Sequence, residues 1–293
     1  MGDTQELDFE GQVATSNALP SSETVESVKD YILLDKHGKS HPFWSLYSGR
    51  HVARRMLVIF VRHFFCGNCQ EFLRSLAESV TPDALLRLPI STFVVVIGCG
   101  DPALISMYTD ATQCPFPIYT DPNHALFDAL GMIKTLNLGD RPAYQRRSMV
   151  TGIVASIGQA LRYVPAGLAL RSGDQRQVGG EFLFEPMDPV TPLDMADDEA
   201  DCGLAGVETK GEPIETKRVT WCHRMRTTRD HAEIPELMEV LGLDGQGEPI
   251  KDGKRWSKAL NTRKGTGFTM ANQMRRISET NMENAAIASA DEA

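Results

Sequence analysis

Two stretches of the chain are apolar without alternation: Met56-Leu57-Val58-Ile59-Phe60-Val61 and Phe93-Val94-Val95-Val96-Ile97. A strand with one wet face alternates apolar and polar residues. Unbroken runs of this length predict central parallel strands buried on both faces. Each is followed by a helical signal. After the first, Cys69, Phe72, Leu73, Leu76 and Val80 recur at three- and four-residue steps while Glu71, Arg74 and Glu78 point elsewhere, and Pro82-Asp83 ends the pattern. After the second, Gly98-Cys99-Gly100 closes the strand. Asp101-Pro102 then reads as an N-cap with proline at the first helical position, leading into the stripe Leu104, Ile105, Tyr108.

The same device recurs at Asp121-Pro122, with Leu126, Phe127 and Leu130 as its stripe and Gly131 as its C-cap; residues 116–120 form a short strand between the two. Upstream, residues 30–34 and the turn signal Asp35-Lys36-His37-Gly38 predict the start of a hairpin. Downstream, the spacing predicts a helix over about 148–164 that Pro165 stops. Strands over 181–184 and 217–221 and a helix over 234–241 follow. Strands alternating with helices imply parallel β-α-β units, and the two late strands fit an antiparallel hairpin at the sheet edge. The expected fold class is α/β: a central mixed sheet flanked by helices.

Polarity divides the chain further. Residues 1–25 are polar, rich in Ser, Thr and Glu and without periodicity, and read as a disordered lead before a domain over 26–242. That domain carries an acidic insertion over 185–216. Its first part, 185–201, holds seven carboxylates, the first being Glu185, and no Lys or Arg. Residues 243–293 read as a disordered basic tail, in which 251–276 hold eight Lys or Arg against the single Asp252.

At 293 residues, 42% hydrophobic and with a net charge of -9, the composition is that of an ordinary globular protein, and the acidic balance argues against nucleic acid or an anionic membrane as partner. The start of the chain lacks a signal-peptide pattern, and no apolar run approaches the ~18 residues of a membrane span. The expectation is a soluble, cytoplasmic protein without a membrane partner. Glycine patterns that cradle phosphates are absent, so no bound cofactor is expected.

The chemistry centres on Cys66-Gly67-Asn68-Cys69, at the junction of the first buried strand and its helix. Residues three apart on a helix lie ~5–6 Å from each other, within reach of a disulfide. The first cysteine sits where free N–H groups and the helix dipole favour an anion, so an ordinary thiol pKa of ~8.5 falls towards ~7. Cys66 is thus the candidate nucleophile and Cys69 the resolving thiol, with positive charge from Arg62 and His63 just upstream. Zinc is the rival reading, but there is no second C-x-x-C, and His37 and His41 are spaced across a turn. Cys99 ends the neighbouring strand on the edge where ligands of α/β sheets bind, which makes it an auxiliary candidate. Cys114 is a weaker one, while Cys202 and Cys222 read as incidental; His223 and His231, near Trp221, are placed to line a pocket but read better as surface residues.

The stretch Phe60-Val61-Arg62-His63-Phe64-Phe65-Cys66-Gly67-Asn68-Cys69 resembles the AhpC/TSA-type, peroxiredoxin-like branch of the thioredoxin superfamily. So do Ile97-Gly98-Cys99-Gly100, Cys114-Pro115-Phe116-Pro117, Leu130-Gly131-Met132 and Gln177-Val178-Gly179-Gly180-Glu181-Phe182. The resemblance spans about 28–242. It implies a thioredoxin-like fold and antioxidant-type thiol chemistry, in a branch that includes a prostaglandin F synthase acting on endoperoxides.

Two departures accompany it. Peroxiredoxins carry a proline seven residues, and a Thr or Ser three residues, before the reactive cysteine; Ile59 and His63 stand there before Cys66, Arg62 and Cys66 before Cys69. Where thioredoxins place a cis-proline, this chain has Val178-Gly179-Gly180, glycines that permit close approach by a substrate. His63 stands where it can replace the missing orienting group, or it is simply a half-buried residue ending a strand. The function expected is a thiol–disulfide oxidoreductase that reduces a peroxide, endoperoxide or disulfide and is itself reduced by an external dithiol system, thioredoxin or glutathione. The alternative is a non-turnover redox sensor or interaction protein on the same scaffold.

Overall fold

The structure, a computed structural model, describes residues 15–146, 158, 167–187, 216–243, 257, 259 and 263–273. The first buried run becomes β3 (Arg55–Phe60) and the second β4 (Thr92–Gly98), paired in parallel from Arg55↔Thr92 to Phe60↔Ile97. Side chains of β3 alternate between two apolar layers. Leu57 and Ile59 join one cluster with Cys69, Phe72, Leu73 and Leu76 of helix α3 (Gly67–Ser79) and Tyr108 of α5 (Ile105–Thr112). Met56, Val58 and Phe60 join the other with Val25 and Val28 of α1 (Ser22–Val28), Leu46 and Tyr47 of α2 (Trp44–Tyr47), and Leu126 and Phe127 of α6 (Ala125–Ala129). A period of two with both faces covered is the reason the run needs to be apolar throughout.

The remaining strands are β1 (Ile32–Leu34), β2 (Ser40–Pro42), β5 (Ile118–Thr120), β6 (Gly180–Pro186), β7 (Lys217–Arg224) and β8 (Thr266–Gly267). The sheet order is β2-β1-β5-β4-β3-β6-β7-β8. Strands β3, β4 and β5 are parallel, and β6 and β7 return antiparallel beside β3. This is the thioredoxin-like α/β architecture expected, with its central mixed sheet and flanking helices. β6 is not an edge strand, however. It lies between β3 and β7, and its apolar Phe182, Leu183 and Phe184 have a layer to fill on each side.

Other local readings shift in detail. Residues 22–25, within the stretch read as a polar lead, form the start of α1, where the Ser21 side chain accepts from the Thr24 N–H. Thr81 caps a further short helix, α4 (Pro82–Leu86), so proline there opens a helix as well as closing one. Asp101 caps its segment as expected, accepting from the Ala103 N–H at 2.9 Å. Asp121 accepts from Asn123 and Leu126 N–H groups, yet the helix begins only at Ala125. The helix read over 148–164 falls, except for residue 158, outside the described residues, as do residues 1–14 of the lead and 188–215 of the acidic insertion.

Two assignments made from composition are corrected. Glu185, counted with the acidic insertion, is fully buried in β6. It accepts from Arg55 Nε at 2.7 Å, Thr220 Oγ1 at 2.6 Å and the Met270 N–H at 3.0 Å. Arg55 also donates to the Leu241 and Val240 carbonyls, both at 2.8 Å, at the C-terminal end of α7 (Ile234–Leu241). Part of the basic tail is likewise ordered onto the domain. β8 pairs with Trp221 and Cys222 of β7, and the Lys264 and Gly265 N–H groups donate to Glu236, each at 2.8 Å. Net charge could not reveal this, because the tail's carboxylate partners lie elsewhere in sequence.

Removing one partner of a buried, hydrogen-bonded ion pair strands the other. Glu185→Ala is expected to lower stability by about 3–5 kcal/mol, read as a shift in the urea unfolding midpoint, whereas Glu78→Ala at the exposed Arg146–Glu78 pair shifts it by less than about 1 kcal/mol.

Candidate active site

The chain leaves β3 through Val61 and Arg62, and His63 to Phe65 turn it into α3, of which Cys66 is the N-cap in extended backbone conformation. The turn is fixed by the Cys66 N–H donating to the His63 carbonyl at 2.9 Å, and by Gln70 Nε2 donating to the Phe64 carbonyl at 3.0 Å. Cys66 sits at the helix start, where the Cys69 backbone N–H also bonds its sulfur, while Cys69, one turn in, lies in the apolar layer under the sheet. Both are enclosed, at 4% and 0% exposure, and both are free thiols.

Arg62 reaches the first of them. Arg62 is 6% exposed, and its guanidinium donates from Nη1 to Cys66 Sγ at 3.1 Å. The rest of the fork is taken by carbonyls of Gln177 (3.2 Å), Thr228 (3.3 Å) and Gln175. A hydrogen bond from Cys69 outweighs burial, and together with the Arg62 charge it holds the Cys66 thiol well below the usual range. Cys69 moves the opposite way: burial, reinforced by the bond to Cys66 and its charge, pushes its thiol well above the usual range. The pair is thus split into an acidic first thiol and a reluctant second one, the asymmetry a nucleophile and a resolving group require.

The other sequence candidates are placed as follows. His63 is half-buried; what it gives Cys66 is its backbone carbonyl, and burial pushes its imidazole below the usual range. Its Nδ1 is enclosed with no hydrogen-bond partner among the described residues. Cys99 is tied to the site through the backbone, donating from Sγ to the Arg62 carbonyl at 3.2 Å, and burial pushes its thiol up to about 12. Cys114 is similarly buried and pushed up to about 11.

Gly179 and Gly180 serve strand packing. A Cβ at Gly179 would lie 1.8 Å from the Phe60 carbonyl oxygen, and one at Gly180 2.5 Å from that of His223, so the space is filled by β3 and β7. Of the possible zinc ligands, His41 pairs with Asp35 at 3.0 Å. Among the described residues no three His, Cys, Asp or Glu side chains gather in a way that would hold a metal ion, and no helix is long and apolar enough to cross a membrane.

His223 and His231 are not at the surface. His223 is buried on β7 and its Nε2 lies 2.6 Å from the Asp230 carbonyl. His231, in the loop between β7 and α7, is fully enclosed with Nε2 3.4 Å from Cys69 Sγ and Nδ1 2.5 Å from Glu181 Oε1. Glu181 is not a candidate in the sequence, and His231 reads there as a surface position sooner than a pocket-lining one. Glu181 had one available signal: in the alternation of residues 181–185 a carboxylate falls on the same side as Leu183. His231 had none, lying 162 residues from Cys69.

A protein-family model described as AhpC/TSA antioxidant enzyme matches residues 76–197. That stretch begins beyond the cysteine pair, so it speaks for the domain and not for the site. Human Peroxiredoxin-like 2C is 29% identical over 220 residues, covering 74% of this chain and 80% of the relative. Takifugu rubripes Peroxiredoxin-like 2C is 28% identical over 163 residues, 55% of this chain and 70% of the relative. Among solved structures, Xanthomonas campestris Peroxiredoxin Q aligns over 58% of this chain and 78% of its own at 12% identity, with a TM-score of 0.32, too low to carry an argument. The family match over 76–197 and these curated relatives make the chain similar to AhpC/TSA-type, peroxiredoxin-like proteins.

Proposed function

We propose that the protein is a thiol–disulfide oxidoreductase of peroxiredoxin-like type, in which Cys66 attacks a peroxide, endoperoxide or disulfide and Cys69 resolves the product. The observation that carries this is the Arg62 guanidinium, buried and donating to Cys66 Sγ at 3.1 Å at the start of α3. A buried cation on a thiol at a helix N-terminus favours the thiolate, the reactive form. With a hydroperoxide, the thiolate takes the distal oxygen, the O–O bond breaks, and the alcohol leaves after gaining a proton; Cys66 becomes a sulfenic acid. Cys69 then displaces water to form the disulfide, which an external dithiol of the thioredoxin or glutathione kind reduces. A reducing compartment such as the cytoplasm suits this cycle.

The depth of the pair favours a second reading, a redox sensor that reacts once without turnover, since enclosure of both sulfurs slows encounter with a bulky reductant. Repeated cycles with peroxide and thioredoxin separate the two.

Thiol-trapping mass spectrometry after one equivalent of hydrogen peroxide is expected to show a Cys66–Cys69 disulfide in the wild type. Cys69→Ser should show a trappable sulfenate on Cys66, and Cys66→Ser no product. Thiols that stay alkylatable throughout in wild type would count against the peroxidase form of the proposal.

The charge argument has its own test in the pH dependence of iodoacetamide alkylation of Cys66. Because the folded thiol is held well below the usual range, the rate stays high below the pH range in which an ordinary thiol ionises, and falls as acid protonates the sulfur. Arg62→Met is expected to move that fall towards higher pH, and an unmoved profile would remove Arg62 from the mechanism.

A further inference from the structure

Cys69 is not simply buried against hydrocarbon. Its Sγ lies 3.4 Å from His231 Nε2, and His231 Nδ1 lies 2.5 Å from Glu181 Oε1. The imidazole is held flat on Phe72, with centroids 4.1 Å apart and planes 5° from parallel, and Tyr144 meets it edge-on. Glu181 comes from β6, where its register between Ile59 of β3 and His223 of β7 sets it beneath α3; its other oxygen accepts from the Ala232 N–H at 3.4 Å. An imidazole and a carboxyl in a fully enclosed layer cost stability unless hydrogen-bonded, and a purely structural pair would be complete with each other. Here the remaining ring nitrogen is aimed at a sulfur that must lose and regain a proton.

We propose that His231 and Glu181 form a proton relay for the resolving thiol, with His231 the catalytic acid–base at Cys69 Sγ and Glu181 the positioning residue that sets which ring nitrogen carries the proton. This rests on the reading of the cysteine pair as redox-active. In closing the disulfide, a Cys69 lone pair attacks Cys66 Sγ and the S–S bond forms. The bond from Cys66 to its leaving group, a sulfenate oxygen or the sulfur of a mixed disulfide, breaks with its electron pair. The Cys69 proton passes to His231 Nε2 while the Glu181 carboxylate accepts from Nδ1–H; departing hydroxide takes a proton and leaves as water. In opening it, a thiolate of the external dithiol attacks Cys66 Sγ. Cys69 departs with the electron pair and recovers its proton from Nε2, and the second dithiol sulfur then releases Cys66.

Burial pushes Glu181 up to about 8 and His231 down to about 3. Below about pH 8, the Glu181 carboxyl donates to Nδ1 and Nε2–H faces the sulfur, the form that assists opening. Above it, the carboxylate accepts from Nδ1 and Nε2 becomes an acceptor, the form that assists closing. The groups facing this pair are Cys66 and Cys69 of α3, Arg62 before it, His223 of β7, and Asp230 in the His231 loop. Tyr144 also faces it, as does Cys222 of β7, and Lys264 of the tail donates from Nζ to the His231 carbonyl at 2.9 Å and lies 3.1 Å from Asp230 Oδ1.

A chromogenic aromatic disulfide tests the relay without peroxide, because Cys66 attack releases one coloured thiolate and Cys69 attack on the mixed disulfide releases a second. In wild type the second phase is expected to accelerate as pH rises through about 8. His231→Gln should keep the first phase within roughly 3-fold and slow the second by roughly 10²-fold, as loss of a general base does. Glu181→Gln, nearly the same size, should slow the second phase by about 10-fold and remove its inflection. If His231→Gln does not fold, the Glu181→Gln pH profile decides. A second phase unchanged in rate and profile in Glu181→Gln overturns the relay alone; absence of any first phase in wild type overturns the redox reading and the relay with it.

Discussion

A guanidinium buried without a carboxylate is the constraint on which the site depends. Among the described residues, Arg62 meets carbonyls of Gln175, Gln177 and Thr228 and, as its one partner able to carry negative charge, the Cys66 sulfur. A charge at that depth is costly unless each donor is satisfied and a counter-charge is near. The three carbonyls belong to two segments far from β3 in sequence: the approach to β6 and the loop after β7. Satisfying Arg62 therefore pins the late half of the sheet to the start of α3, and that same loop delivers His231 to Cys69.

Two buried arginines bracket β3. Arg55 opens the strand, neutralised by Glu185 and capping the carbonyls that end α7. Arg62 lies just past its end and leaves its charge for a thiol. The first arrangement is complete within the protein and stabilises it. The second has a thiol where the first has a carboxylate, and under the proposed function its counter-charge appears when Cys66 ionises.

The two thiols differ because of where α3 begins. Cys66, at the N-cap, has the Arg62 cation and the Cys69 N–H beside it; Cys69, one turn later, has Phe72, Tyr144 and an uncharged imidazole around it. Three residues of chain carry the sulfur from a setting that favours the anion to one that penalises it. The departure from the peroxiredoxin pattern at Ile59 and His63 fits this arrangement, in which the charge beside Cys66 comes from Arg62 and the His63 ring makes no hydrogen bond to the sulfur through its enclosed Nδ1.

Local signals were enough for what depends on neighbours in sequence. The runs 56–61 and 93–97 could only be central strands, and the spacing of Cys69, Phe72, Leu73 and Leu76 could only be the buried face of a helix. A C-x-x-C between the two marked the candidate thiols, and Arg62 lay close enough along the chain to be named. What depends on pairing across the fold was not legible. Composition assigned Glu185 to an acidic loop and the residues around Lys264 to a disordered tail, because a charge reads as solvated until its partner is known. His231 was taken for a surface residue for the same reason, and Gly179 and Gly180 for substrate contacts when they make room for strands. Sequence by itself determined the α/β scaffold and the cysteine pair, since hydrophobic periodicity and helix-end chemistry act over a few residues. Only the tertiary structure decided which charges are buried and what stands behind Cys69, because those partners are brought together by folding across more than a hundred residues.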